Sequence, residues 1–322
     1  MSDRLHSEIR DLLARDDVKY AIGYEKGTYG FRVSPSFAFS PEDVGQFIYS
    51  PLCIHNLASY PLLEEKLPLP RGRTEEKKKI VLVVKGCDSR SLLQVIQEKG
   101  LNRDDLIIIG ISCKGVIDPV KIDEMFPYSG GDAEEKDDAF IITIEGETHE
   151  VSKDLLLMDK CKRCEYPNPV LYDILLGDEV DAGEDDYKDI QGFEQLSSQE
   201  KWSYWNKKFD QCIRCYACRN VCPLCYCKEC MVDHLKDQWI RRSVDLSENT
   251  AWNLMRAFHH AGRCIDCGEC ERVCPMNLPL TELNRKVEKD VREMYDYIPG
   301  IDLEVKPLLA TFRPNDPEEF VL

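Results

Sequence analysis

The sequence lacks long apolar runs and an excess of basic charge. No stretch reaches the roughly 18 consecutive apolar residues that a membrane-spanning helix needs. The polar residues 1–6 carry no apolar core of an export signal, so we expect a cytoplasmic protein. Lysine and arginine total 42 against 59 acidic residues, which gives a net charge of −17. That balance argues against nucleic acid and anionic membrane as main partners.

The sequence also lacks the motifs that would name a reaction. It contains no G-x-G-x-x-G or Walker loop, no H-E-x-x-H and no nucleophile elbow. Six histidines are scattered along the chain, and the adjacent pair His259-His260 cannot share one face of a helix. We therefore assign no catalytic residue from the sequence.

Cysteine is what the sequence has in excess. Sixteen cysteines occur in 322 residues. In a chain for which no export is expected, such a set is more typical of metal binding or redox chemistry than of disulfides.

Two copies of one cysteine motif lie in the second half of the chain. They begin at Cys212 and Cys264, and each reads C-x2-C-x2-C-x3-C-P, the pattern of bacterial ferredoxins. In that pattern three cysteines bind one 4Fe–4S cluster, and the fourth binds the other cluster. Paired zinc ribbons are the alternative, but zinc needs neither the third cysteine nor the proline. The predicted ligand sets are Cys212, Cys215, Cys218 with Cys274, and Cys264, Cys267, Cys270 with Cys222.

Strand-like and helix-like segments alternate in the first half. Lys79–Val84 and Asp105–Ile111 are short β-branched runs typical of buried strands, and residues 89–99 between them have helical spacing. A strand-helix-strand unit of this length has parallel strands. Cys87 and Cys113 follow the two strands, so we expect both thiols at one edge of the sheet.

These two thiols could belong to a third set of four. Cys161-Lys-Arg-Cys164 is a C-x2-C pair, which alone is compatible with redox chemistry, zinc or cluster ligation. Together with Cys87 and Cys113 the pair supplies four thiols. That number is enough for a third 4Fe–4S cluster.

The remaining cysteines could form a fourth set. Cys225, Cys227 and Cys230 follow the first motif with ligand-like spacing, within a long insert between the two motifs. Cys53 is the candidate to complete a fourth cluster with them. Buried structural thiols are the alternative interpretation.

A glycine turn at 85–90 leads into the helix that we predict to begin at Asp88 or Ser89. Backbone N–H groups and the helix dipole at such a place can bind an anion, for instance a flavin pyrophosphate. An ordinary capped helix start is the alternative. Lys26, beside a predicted strand and turn at 23–27, is a further candidate anion contact, with a surface hairpin as its alternative. The candidate cofactor-binding residues are Lys85, Gly86, Ser89, Arg90 and Lys26.

The fold class expected from these patterns is an α/β domain with a partly parallel sheet plus an α-rich, ferredoxin-like dicluster 4Fe–4S domain. The expected domains are 1–190 and 200–298, followed by a C-terminal tail at 299–322. Residues 177–200 have the acidic, Ser- and Gly-rich composition of a linker. Residues 131–155 are predicted to form an acidic loop and a hairpin.

Several segments together carry a family resemblance. They are the turn 85–90, Ile111-Ser112-Cys113, Cys161-Lys-Arg-Cys164 with Tyr166-Pro-Asn-Pro169, and the two motifs with the extension Cys222–Cys227. Over about Tyr20 to about Tyr297 the chain resembles the beta-subunit family of the deazaflavin-coenzyme (factor-420) hydrogenases and dehydrogenases. Its ferredoxin-like block is similar to the formate dehydrogenase beta subunits of that group.

The resemblance implies an α/β domain that carries FAD together with 4Fe–4S clusters, with Cys87, Cys113, Cys161 and Cys164 among the cluster ligands. It implies an electron-transfer subunit of a cytoplasmic anaerobic oxidoreductase complex. Such a subunit relays electrons between a two-electron carrier and a catalytic partner of the formate dehydrogenase, hydrogenase or heterodisulfide-reductase-like kind. Ferredoxin and a deazaflavin or nicotinamide coenzyme are further candidate partners. The alternative is a self-sufficient FAD-dependent coenzyme:ferredoxin oxidoreductase.

Overall fold

The computed structural model describes residues 2–66, 78–234, 236 and 238–311. The chain divides into two compact units, each assembled from separate stretches of sequence. The first unit is Met1–Pro61, Pro68–Ser89 and Leu101–Asp185; the second is Leu62–Leu67, Arg90–Gly100 and Asp186–Leu322. The domain limits expected from the sequence remain predictions, and residues 312–322 of the expected tail lie outside the described residues.

The first unit contains a five-stranded and a three-stranded sheet. Its strands are β1 (Val18–Lys26), β2 (Val33–Ala38), β3 (Lys79–Val84), β4 (Leu106–Ile111), β5 (Asp132–Lys136), β6 (Ala139–Ile144), β7 (Glu147–Ser152) and β8 (Ile174–Leu176). Its helices are α1 (Ser2–Leu13), α2 (Ser59–Lys66), α3 (Gly86–Gln97), α4 (Pro119–Met125), α5 (Lys153–Leu156) and α6 (Asp159–Lys162), and 3-10 turns lie at Pro41–Gln46 and Arg103–Asp105. Both α2 and α3 begin in this unit and end in the second unit.

The larger sheet has the order β2-β1-β3-β4-β8. Strands β1, β3, β4 and β8 run parallel, and β2 pairs antiparallel with β1. Val84 is opposite Gly110 where β3 and β4 end, so the segments that follow both strands leave the same edge of the sheet. The predicted strand-helix-strand unit and the partly parallel sheet are therefore confirmed.

The start of α3 differs from the prediction. The helix begins at Gly86, so Asp88 lies in its first turn and does not precede it. The Asp88 carboxylate reaches back and accepts a hydrogen bond from the backbone N–H of Lys85 at 3.0 Å. The backbone N–H of Lys85 has no partner within the helix, and the Asp88 carboxylate supplies one. The helix can therefore begin before Asp88, although Asp88 is the residue with the strongest capping preference.

The acidic segment predicted as a loop is partly a strand. Residues 132–136 form β5, which pairs antiparallel with β6, and Ala133 is opposite Ile142 and buried. Asp132 and Glu134 are exposed on either side of it. The alternation of the strand therefore places these two acidic side chains in solvent. The predicted hairpin of β6 and β7 is confirmed.

The second unit is built from helices in the part that the structure describes. They are α7 (Lys188–Glu194), α8 (Ser198–Phe209), α9 (Ala217–Asn220), α10 (Leu246–His259), α11 (Glu269–Arg272) and α12 (Leu280–Tyr295), with a 3-10 turn at Leu308–Ala310. The segment 177–200 is therefore not a continuous linker, because α7 and the start of α8 fall within it. None of the helices in the described ranges combines the length and the apolar composition that crossing a bilayer requires.

Candidate metal centre

The two cysteine motifs form two cavities in the second unit. One cavity is lined by Cys212, Cys215, Cys218 and Cys274, and we call it site I. Three of these thiols come from the first motif and one comes from the second. The structure thus brings together the four residues that the spacing predicts for one cluster.

The second cavity shows the reciprocal arrangement. It is lined by Cys264, Cys267, Cys270 and Cys222, and we call it site II. An apolar cluster of Leu278, Leu280 and Cys270 packs against the thiols of site I, so the two sites share one wall. The two cavities are adjacent, and each takes three thiols from one motif and its fourth thiol from the other motif. This arrangement fits a pair of 4Fe–4S clusters, and the ligand assignment itself remains a prediction.

The backbone turns twice within each motif, at equivalent positions. Arg214 and Tyr216 in the first motif have φ of 55° and 60°, and Asp266 and Gly268 in the second have φ of 54° and 71°. The short helices α9 and α11 start directly after these left-handed residues. For residues other than glycine this conformation costs free energy. We infer that the chain accepts this cost because the turns direct three successive thiols into one cavity.

Two buried asparagines on neighbouring helices support the motifs. Asn249 of α10 donates from its side-chain amide to the backbone oxygens of Cys212 at 2.8 Å and Phe209 at 3.0 Å. Asn284 of α12 donates to the Cys270 sulfur at 3.6 Å. Hydrogen bonds to cluster sulfurs are among the factors that set cluster potentials. Neither residue could be identified from the sequence, because nothing in their local pattern separates them from ordinary helix residues.

A buried arginine holds the second motif to α7. Arg285 is 1% exposed; its Nε lies 2.6 Å from an Asp189 carboxylate oxygen, and its Nη1 lies 2.9 Å from Asp266. Asp266 is one of the left-handed residues of the second motif. The pairing of one guanidinium with two carboxylates therefore fixes the turn that carries Cys264 and Cys267.

Burial makes several of these thiols weak acids in the metal-free chain. It raises the pKa of Cys218 and of Cys270 to about 11 in each case. Burial followed by the nearby Asp266 carboxylate also raises the pKa of Cys264. Because thiolates are the metal-binding form, loading of these sites must displace protons.

The cysteines of the insert face different surroundings. The Cys225 sulfur lies 3.3 Å from Nε2 of His260, which is also 3.9 Å from the Cys222 sulfur. These three side chains are close enough together to hold a single metal ion. Cys227 is exposed, and Cys230 packs on the apolar cluster around Trp252. The structure therefore joins Cys225 to a site II thiol and gives no support to a set formed with Cys227 and Cys230.

The proposed fourth member of that set, Cys53, belongs to the first unit. It is fully buried, and its sulfur accepts a hydrogen bond from the backbone N–H of Ser50 at 3.4 Å. Burial raises its pKa to about 11. These surroundings fit the alternative of a buried structural thiol, and the fourth cluster remains a prediction.

Four other thiols of the first unit lie within electrostatic reach of one another. Burial raises the pKa of Cys87, Cys113 and Cys161, and a neighbouring thiol adds to each increase: Cys113 for Cys87, Cys161 for Cys113, and Cys164 for Cys161. Cys113 follows β4 and Cys87 lies in the first turn of α3, at the sheet edge predicted from the parallel strands. Cys113 and Cys161 are therefore neighbours, as are Cys87 with Cys113 and Cys161 with Cys164, and the third cluster remains a prediction.

Lys85, a predicted cofactor contact, is already engaged within the protein. Its ammonium lies 2.9 Å from the Asp88 carboxylate and donates to the Tyr24 hydroxyl and to the His55 carbonyl oxygen. Burial alone lowers the pKa of Lys85, but the charge of Asp88 outweighs it and the pKa is raised overall. Lys85 is therefore a permanently charged, internally paired group.

The N-terminus of α3 is likewise closed by the chain itself. A Cβ atom at Gly86 would lie 1.9 Å from the Tyr166 carbonyl oxygen, so glycine is required here for close packing. The Ser89 hydroxyl donates to the Gly86 carbonyl at 2.8 Å and accepts from the Val170 N–H at 2.9 Å. Arg90 donates to two backbone carbonyls of the second unit. These partners favour the ordinary helix start over an anion site.

Lys26 lines a cavity of about 720 Å³ in the first unit. The cavity lies beyond the ends of β4 and β8, and Arg32, Cys113 and Lys114 also line it. Lys26 pairs with Asp132 at 2.8 Å at its rim. The volume is that of a ligand pocket, and the carboxyl ends of parallel strands are where α/β folds bind ligands. Lys26 and Cys113 were candidate site residues from the sequence, whereas Arg32 and Lys114 were not.

Comparison with known proteins agrees with the chemistry of these sites. Residues 208–278 match the family model of the 4Fe-4S dicluster domain. The segment that contains both motifs is thus of the dicluster iron–sulfur class.

Two curated proteins are similar over most of the chain. The F420-dependent formate dehydrogenase subunit beta of Methanocaldococcus jannaschii is 29% identical over 300 residues, which cover 73% of this chain and 77% of that protein. The subunit beta of F420-dependent formate dehydrogenase 1 of Methanococcus maripaludis is 26% identical and covers 94% of this chain and 92% of that protein. The resemblance to the factor-420 hydrogenase and dehydrogenase beta subunits is therefore confirmed.

A solved structure was also matched. It is the xenon-derivatised F420-reducing [NiFe] hydrogenase complex from Methanosarcina barkeri, at 13% identity and a TM-score of 0.39. The match covers 50% of this chain and 58% of that chain.

Proposed function

We propose that this chain is an iron–sulfur electron-transfer subunit of a multi-subunit oxidoreductase of the F420-dependent formate dehydrogenase or hydrogenase type. One observation carries the proposal: two adjacent cavities each hold four cysteines, three from one motif and one from the other. A bound 4Fe–4S cluster accepts and releases one electron, at a potential on the order of −400 mV for ferredoxin-like centres.

The residues of the chain hold and shield these centres. The thiolates of sites I and II are the ligands, in a ferredoxin-like exchange of the fourth cysteine. The left-handed turns fix their direction, and Asn284 donates a hydrogen bond to a ligand sulfur. No residue of either site is assigned to bond chemistry on a substrate, so the reaction itself is expected in a partner subunit. The chain would work in the cytoplasm of an anaerobic cell.

The first unit extends the relay in this proposal. Cys87, Cys113, Cys161 and Cys164 would hold a third cluster, and Cys113 also lines the large cavity. FAD or a two-electron coenzyme in that cavity would then lie directly beside a cluster ligand. Such an arrangement suits the exchange of electrons between a two-electron carrier and one-electron centres.

Metal analysis of anaerobically purified full-length chain tests the proposal. We expect about 12 irons with matching acid-labile sulfide, four for each set, and two interacting spin signals from sites I and II after reduction with dithionite. About eight irons would restrict the clusters to the second unit. Zinc without sulfide would establish a structural metal protein and overturn the proposal.

A second candidate function is a self-sufficient FAD-dependent coenzyme:ferredoxin oxidoreductase. The large cavity is the observation that favours it: three basic side chains line it beside four acidic ones, and the basic ones could bind a flavin pyrophosphate by exchanging their carboxylate partners. It requires that the isolated chain binds flavin and reduces ferredoxin with a reduced deazaflavin or nicotinamide coenzyme. An isolated chain that binds flavin but needs a co-purified subunit for turnover would favour the relay.

A further inference from the structure

Arg256 on α10 is a buried cation without a carboxylate partner in the described part of the chain. The residue is 4% exposed, and its Nε atom has no hydrogen-bond partner. Its Nη2 donates to the backbone oxygen of Cys218 at 3.2 Å. Arg285, which is also deeply buried in this unit, is paired with two carboxylates. Burying an unpaired guanidinium is costly unless a negative charge lies nearby.

The surroundings of Arg256 consist of residues from both thiol sites. The side chain lines site II together with Cys222 and Cys270. The carbonyl that accepts its hydrogen bond belongs to Cys218, a member of site I. The guanidinium therefore lies against residues of both sites, whose cysteines would carry negative charge once they hold clusters as thiolates.

We propose that Arg256 is a shared counter-charge for the two clusters and that it raises both reduction potentials. The inference rests on the proposed function, since it requires clusters in sites I and II. It assigns the residue a tuning role in addition to the ligands that hold the metal.

The physical reason is the change in charge on reduction. A 4Fe–4S cluster with four thiolates is an anion, and its reduction adds one more negative charge. A fixed cation in a water-poor wall stabilises the reduced form more than the oxidised form, and burial limits the screening of that attraction. Net charge is among the factors that set the potential of such clusters. A single cation in contact with residues of both sites should therefore act on both potentials in the same direction.

The test is a potentiometric titration of the anaerobic full-length chain, followed by electron paramagnetic resonance, for wild type, Arg256→Gln and Arg256→Lys. We expect Arg256→Gln to lower the equilibrium constant for reduction of both clusters by about tenfold, which is 59 mV for one electron. Arg256→Lys should stay within about twofold of wild type, because the charge is retained. Arg241→Gln is the matched control, since Arg241 is exposed and paired with Glu248 at 2.7 Å. We expect no shift there.

The outcomes separate the inference from the proposed function. Wild-type chain without two cluster signals would overturn the proposed function. Two wild-type signals whose potentials are unchanged in Arg256→Gln would overturn only the counter-charge role. If Arg256→Gln retains no iron, the Arg256→Lys variant tests the counter-charge role instead. Full iron content and wild-type potentials in that variant support the role. A tenfold decrease in the equilibrium constant for cluster reduction, despite the retained charge, contradicts it.

Discussion

The two units assemble their thiols in opposite ways. In the second unit, each cavity takes three cysteines from seven consecutive residues and one from the other motif. In the first unit, the four thiols come from three distant segments, at Cys87, Cys113 and 161–164. The first arrangement is encoded in local spacing, whereas the second depends on the parallel pairing of β3 and β4. The four cysteines of the first unit can therefore be grouped only when the order and direction of the strands are known.

The units also differ in how they neutralise buried charge near their thiols. In the first unit, Lys85 is paired with Asp88, and both side chains are at most 2% exposed. In the second unit, Arg256 lies against residues of both thiol sites and forms no ion pair with a carboxylate among the described side chains. The stability of a buried ion pair such as Lys85–Asp88 depends little on bound metal. The stability of a buried cation without a carboxylate partner depends on the negative charge of the bound clusters. The second unit should therefore be the more dependent on metal for its stability.

The largest effect should follow removal of a motif ligand. Cys264→Ala leaves site II with three thiolates, so we expect loss of about four irons per chain and of one of the two spin signals. Because the sites share a wall, the remaining signal should also change. Iron analysis and spin resonance of the reduced chain measure this.

The matched control for that change is Cys227→Ala, which removes an exposed cysteine outside both cavities. Both spin signals should persist in it. Loss of four irons in this control would instead show that Cys227 serves a further cluster, and would restore the fourth set predicted from the sequence.

A change in the first unit should have a more selective effect. Cys113→Ala removes one thiol of the set at the sheet edge, so we expect about four fewer irons with both second-unit spin signals intact. Cys53→Ala is the control, because Cys53 is buried in the same unit and its surroundings are those of a structural thiol. Unchanged iron in Cys113→Ala would restrict the clusters to sites I and II.

The second-unit sites could be predicted from the sequence because their information is short-range. The spacing of each motif and the proline after it were sufficient to group all eight cysteines as the cavities group them. The supporting residues could not be found this way. Arg256, Asn284 and Arg285 reach the sites only through helix packing, and each looks like an ordinary helix residue in sequence.

In the first unit β3 and β4 were predicted within one residue, whereas the turn that follows β3 was left with two interpretations, an anion site and an ordinary helix start. A glycine before a helix is compatible with an anion or with close packing of another chain segment, and here the Tyr166 carbonyl takes that place. Sequence alone gives no partner for such a turn. The large cavity was missed for the same reason, since its lining comes from several separated segments.

A third change tests the closed ion pair of the first unit. Asp88→Asn leaves the Lys85 cation buried and uncompensated, which should destabilise the unit by about 3–5 kcal/mol. Hydrogen exchange of the β3 amides measures the free energy of local opening. Asp17→Asn, which disrupts an exposed pair with Arg15, should have no measurable effect. Equal protection in Asp88→Asn and wild type would show that the thiols of this unit, and not Asp88, balance the lysine charge.

The smallest effect is expected from a substitution at the rim of the large cavity. This substitution tests whether Lys26 contributes to binding an anion in the first unit. Lys26 is exposed and its pair with Asp132 is solvated, so Lys26→Met should leave stability unchanged. If the lysine contacts a flavin phosphate, the loss of one charge-assisted hydrogen bond should weaken FAD binding about tenfold. Fluorescence titration of the isolated chain with FAD measures this, with Lys19→Met on the same strand, outside the cavity lining, as control. Equal FAD affinity in both variants and wild type would leave Lys26 as a surface residue that contributes nothing to anion binding in the first unit.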